Sequence, residues 1–158
     1  TGGTNFAHLF SFSMVDLTSH GRAVAINQPY ATVFFAPAIQ PQLEWMYAEL
    51  QGAGYIQNYA QNLKGRDLGM GVAEGMIKLS QAVGVQTTLD EVGFTDGHLD
   101  KILKAAKNHQ LRSKLEQAPV SLVVKGDDKA TEANIDNYIA PLIEGARTGN
   151  FSLIKNYS

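Results

Sequence analysis

Residues 8–29, HLFSFSMVDLTSHGRAVAINQP, fall into two nearly apolar halves joined by the polar run DLTSHG. The first half carries Leu9, Phe10, Phe12, Met14 and Val15 in an apolar pattern that runs almost all the way round, which predicts a buried central helix from Phe6 to about Leu17. A second helix is expected from Gly21 to Phe35, with Arg22 its one strong charge and Pro37 and Pro41 marking the break after it. Arg22 reads as a solvated or paired residue at the helix start rather than as a substrate contact. Between the halves, Asp16, Thr18 and Ser19 offer the backbone competing side-chain hydrogen bonds, and Gly21 accepts positive φ. A chain reversal is therefore expected there, and two apolar helices folded back on each other make an all-α domain.

The reversal decides what His8 and His20 can do. On one straight helix, the step of twelve residues from one to the other would set the imidazoles roughly 120° apart in azimuth and about 18 Å apart along the axis. They could not share a ligand in that form. If the chain doubles back, two neutral imidazoles meet and make half of a site for a divalent transition metal, Fe or Zn. The competing account is that both histidines simply pack and hydrogen-bond.

Outward from this stretch the chain reads as further helices. Leu43, Met46, Tyr47 and Leu50 form the stripe of a third helix over about 42–50, ended by Gly52 and Gly54, with Trp45 off the stripe as an inter-domain or packing residue rather than a cofactor platform. The polar segment from Tyr55 to Lys64 is expected to hold a helical turn or two. Asp67 is the expected N-cap of a helix with apolar positions Leu68, Val72, Met76, Leu79 and Val83, stopped by Gly84. Its glycines Gly69, Gly71 and Gly75 lack the G-x-G-x-x-G spacing and the preceding strand of a dinucleotide loop, so close helix packing is the expectation. Thr95 should cap a helix carrying Leu99, Ile102, Leu103 and Ala106, with His98 and His109 as surface residues at its ends. The run from Val120 to Val124 is β-like but isolated, and an extended connector is expected. Thr131 should cap a long last helix bent by Pro141, with Arg147 at its negative end, Gly149 as its stop, and Phe151, Leu153 and Ile154 anchoring the tail.

Composition narrows the function classes. At 158 residues and 44% hydrophobic, the chain suits one helical domain, residues 1–158, rather than two. The formal net charge is −2, and the 13 basic residues are scattered, so no nucleic-acid surface is expected. Cysteine is absent, which excludes disulfides and thiolate metal sites and fits a reducing, cytoplasmic setting. Apolar runs are too short for a bilayer, no signal-peptide pattern opens the chain, and no membrane contact is expected. Thr1, Gly2 and Gly3 are an unusual start, so a piece of a longer protein is expected.

The strings GGTNFAH (2–8), SFSMVDLTSHG (11–21) and RAVAINQPY (22–30) together resemble the metal-ligand region of the iron-containing (group III) alcohol dehydrogenases. In that family one histidine follows a Gly-rich lead-in and another stands in a His-Gly pair before a helix. The segments AVGVQTTLDEVGF (82–94), AKNHQL (106–111) and IAPLIEGARTGNF (139–151) are similar to its later helices and loops. The resemblance implies a helical C-terminal domain of the dehydroquinate synthase-like fold, with the NAD(P)-binding half missing and no Rossmann-type unit present. It further implies His8 and His20 as two of four metal ligands, the Asp and the other His coming from a helix upstream. Another alignment puts the first ligand position on Thr4 or Asn5. The cofactors implied are Fe, or Zn, and NAD(P), and the substrates a small alcohol, aldehyde or ketone. Homo-oligomers are open to it. Many members carry a further histidine near the nicotinamide, four residues after the first ligand; Phe12 stands at that position and would lie against the cofactor. The segment alone is expected to be inactive and to bind neither metal nor NAD(P) firmly.

Overall fold

A computed structural model describes residues 6–57 and 62–157. Its helices are α1 (Phe6–Ser11), α2 (His20–Phe35), α3 (Gln40–Gly52), α4 (Gly65–Ala82), α5 (Asp96–Lys107), α6 (Arg112–Glu116), α7 (Asp128–Asn134) and α8 (Ala140–Thr148). No strand forms among the described residues, and the run 120–124 is an extended connector. The expected helical turns of residues 55–64 fall partly on 58–61, outside the described residues. No described helix is long and apolar enough to cross a membrane.

Helix α2 is the centre of the packing. Ala23, Ile26, Tyr30, Val33 and Phe34 are all buried, and α1, α4 and α8 cover different sides of it. The main core joins this helix to Phe6, Leu9, Phe10, Ile102, Leu115, Ile139, Leu142 and Ile143. A smaller core of Ala36, Leu43, Tyr47, Leu68 and Val72 lies between α3 and α4. The α4 glycines serve close packing here. A Cβ at Gly69 would run into the Ala36 Cβ, at Gly71 it would lie 2.8 Å from the Tyr47 ring, and at Gly75 3.0 Å from Leu50 and Ile56.

Gly69→Ala should therefore destabilise the chain by about 1–3 kcal/mol despite alanine's better helix propensity, because Ala36 and the Val33 backbone have nowhere to go. Gly21→Ala is the control. Its Cβ would meet nothing within 4 Å, so a gain of about 0.4–1 kcal/mol is expected. Urea unfolding of the two variants checks the pair: opposite shifts of the midpoint are expected.

Several boundaries differ from the sequence expectation. Helix α1 ends at Ser11 and passes into a 3₁₀ turn, Phe12–Met14, instead of running to Leu17. Phe12 and Val15, expected inside, are 48% and 76% exposed. An all-round apolar pattern gives no phase, and only five residues of α1 are needed to cover α2. Gly21 lies inside α2 with no positive φ, so the reversal is made by residues 15–19, with Ser19 extended as the N-cap of α2; the Leu17 and Thr18 amides bond the Met14 carbonyl at 3.0 and 3.2 Å. Lys64, not Asp67, holds the cap position of α4, and Asp67 favours its N-terminus from the first turn. Leu79 and Val83 at its far end are exposed. Asp127, not Thr131, caps α7, its carboxylate accepting the Ala130 amide at 2.9 Å; Thr131 is buried and bonds Val124. The bend at Pro141 is taken up by a π-helical turn, Ile135–Ile139, just ahead of it. Gly149 has φ +78° and ends α8 in the left-handed region, as expected of a C′ glycine.

The tail is clasped by two polar side chains. Pro37 has no amide to give the Val33 carbonyl, which accepts the Ala36 amide; Asn156 Nδ2 donates to the Val33 and Phe34 carbonyls as well, at 2.8 and 2.7 Å. The Arg66 guanidinium in turn donates to the carbonyls of Phe151 and Ile154 and to Asn156 Oδ1. Phe151 stacks on Tyr30 with ring centres 4.7 Å apart, and Tyr30 Oη donates to the Thr87 carbonyl. Burial pushes the Tyr30 phenol up to about 12. Arg147 does more than face a dipole: it joins α8 to Asp90 at 3.0 Å and Asp96 at 2.8 Å.

Candidate functional site

The short α1 and the reversal after it bring the two expected ligands together. His8 lies mid-way along α1 and is half-buried; His20 is the first residue of α2 and is exposed. Their ring centres are 4.9 Å apart with the planes at 88°. An imidazole bound to a metal at about 2.0–2.1 Å has its ring centre roughly 3 Å from the ion, so two at a tetrahedral angle have centres about 5 Å apart. The observed separation fits that spacing. Burial, aided by the positive fields of His20 and Lys114, holds the His8 imidazole below its ordinary value, which favours the neutral form a metal needs.

Phe12 belongs to the same cluster. Its ring lies 4.9 Å from His8 and 6.0 Å from His20, near parallel to the latter. The three rings form an aromatic rim at the surface, whereas Phe6 and Phe10 are buried in the core, Phe6 against Phe34 and Phe35. Thr4 and Asn5, the other alignment's ligand positions, lie outside the described residues.

The donor set is a pair. Among the described residues, no group of three or more His, Cys, Asp or Glu side chains is placed to hold a metal. His8 and His20 would thus supply two nitrogens and leave the other positions to groups from elsewhere.

Ser11 is the site residue that sequence reasoning passed over. Its Oγ donates to the His8 carbonyl at 2.6 Å and lies 2.8 Å from His20 Nδ1. A hydroxyl one turn after His8, on the face toward the reversal, was the available signal.

His98 is corrected from a surface residue to a buried one, 8% exposed. Its Nδ1 accepts the Thr95 amide at 3.1 Å, making a capping box with histidine where Glu or Gln is usual. Its Nε2 then meets Asp16 Oδ2 at 3.0 Å, tying α5 to the reversal. That hydrogen bond holds the Asp16 carboxyl below the usual carboxylate range. His109 is exposed, as expected, beside Asp128 at 3.4 Å. Neither histidine joins the His8–His20 cluster.

No protein-family model, curated protein or solved structure matches this chain.

Proposed function

We propose that this chain is the helical metal- and substrate-binding half of an NAD(P)-linked alcohol dehydrogenase of the iron-containing kind, built on the dehydroquinate synthase-like fold. The observation that carries the reading is the pair of imidazoles, 4.9 Å apart, formed by residues twelve apart in sequence across a reversal. His8 and His20 hold the metal with two further ligands from outside the described residues. A divalent ion at this position supplies Lewis-acid activation of the oxygen of a small alcohol, aldehyde or ketone. Phe12 supports the nicotinamide side of the pocket with an apolar ring where other members place a proton-handling histidine, so proton transfer there falls to another group. Ser11 orients His20. The nucleotide-binding half, which accepts and returns the hydride, is a partner this segment requires, and the segment alone is inactive.

The test is alcohol-dependent reduction of NAD(P)⁺ by the longer protein containing this segment. Turnover that falls with metal content in His8→Ala supports the reading; full turnover in that variant contradicts it.

A second reading has an observation of its own. With no three-donor group among the described residues, His8, Phe12 and His20 can be an edge-to-face aromatic cluster that closes the α1–α2 reversal in a non-catalytic helical scaffold or interaction module.

A further inference from the structure

We propose that Ser11 fixes the tautomer of His20, keeping the proton on Nδ1 so that Nε2 carries the lone pair offered to a metal. Ser11 has one hydroxyl hydrogen, and its Oγ faces two groups, the His8 carbonyl oxygen at 2.6 Å and His20 Nδ1 at 2.8 Å. A carbonyl can only accept. If the hydroxyl gave its hydrogen to Nδ1, the Ser11 and His8 oxygens would face each other at 2.6 Å with no hydrogen between them. Giving it to the carbonyl makes Oγ an acceptor, and Nδ1 must then be the donor. Only this arrangement satisfies both contacts.

The site leaves little room for an escape. Ser11 is 1% exposed, so water does not replace either bond readily, and its hydroxyl links the last turn of α1 to the first residue of α2. Unconstrained histidine in water favours the proton on Nε2, so the arrangement imposes the less common form. A ligating histidine needs this kind of partner: a bond from its other ring nitrogen sets which nitrogen is free and how the ring is turned. Ser11 is thus a positioning residue. Its consequence for metal binding rests on the function proposed above; the tautomer itself does not.

The experiment is long-range proton–nitrogen correlation NMR of the imidazoles in the whole chain, above the ordinary histidine range. In the wild type, His20 should show a protonated Nδ1 and a pyridine-type Nε2. In Ser11→Ala it should move toward the Nε2-protonated form, and titration with Zn(II) should show affinity reduced roughly 10–100-fold. An Nε2-protonated His20 in the wild type overturns the proposal, and so does an Nδ1-protonated His20 that persists unchanged in folded Ser11→Ala. The wild-type spectrum decides even if the variant does not fold. Zn(II) should shift Nε2 of wild-type His20. If the tautomer is as stated and Zn(II) moves neither nitrogen, the metal reading fails while the role of Ser11 stands.

Discussion

His20→Ala should abolish Zn(II) binding at this site and leave the fold nearly untouched. The side chain is exposed at the first residue of α2 and buries no core surface. Its one hydrogen bond among the described residues is to Ser11, so its loss should cost about 0.5–1.5 kcal/mol, and Ser11 retains its bond to the His8 carbonyl. The ligand loss is far larger. A single imidazole cannot chelate, so affinity should fall by more than the roughly 10–100-fold that removal of an outer-shell partner costs. Isothermal titration beside a thermal melt separates the two effects. Metal binding that survives intact in a folded His20→Ala chain would make His20 a packing residue.

Phe6→Ala should do the reverse, removing stability before any chemistry. Phe6 is fully buried, with ring contacts to Phe10, Phe34 and Phe35 at centre distances of 5.8, 5.4 and 4.7 Å. Truncating such a ring typically costs about 3–5 kcal/mol. Since small domains carry only about 5–15 kcal/mol in all, roughly a fifth or more of the stability should go. The cost falls on the seam between α1 and α2, where Phe6 holds α1 to the C-terminal half of α2 through Phe34 and Phe35. His8 rides on α1, so metal binding should weaken only in step with unfolding. Urea denaturation gives the expected drop in midpoint; a loss under 1 kcal/mol would mean that α1 is not anchored through this ring.

What the sequence made legible follows from which signals have a phase. Helix α5 was readable from Thr95 and the Ile102–Ala106 stripe, and the end of α8 from Gly149, because caps and one-sided stripes fix positions. The approach of His8 to His20 was readable because the run DLTSHG, with five polar or small residues among its six, can hardly continue an apolar helix. The end of α1 was not: with apolar residues on every side, nothing marks Phe12 and Val15 as the ones that turn outward. The burial of His98 depends on Asp16, which arrives from the other end of the domain, and T-x-x-H looks like a cap only once histidine is allowed the place of glutamate. The clasp of the tail by Arg66 and Asn156 is non-local in the same way.

The central claim is that His8 and His20 bind one metal ion together. Titrating the chain with Co(II) and following all four imidazoles by NMR tests it most directly, because the paramagnetic ion reports every ring it approaches. The His8 and His20 resonances should shift in parallel, with a single common midpoint, while buried His98, held by Thr95 and Asp16, stays in place. Shifts confined to one of the pair, or midpoints that differ between His8 and His20, would contradict a shared site.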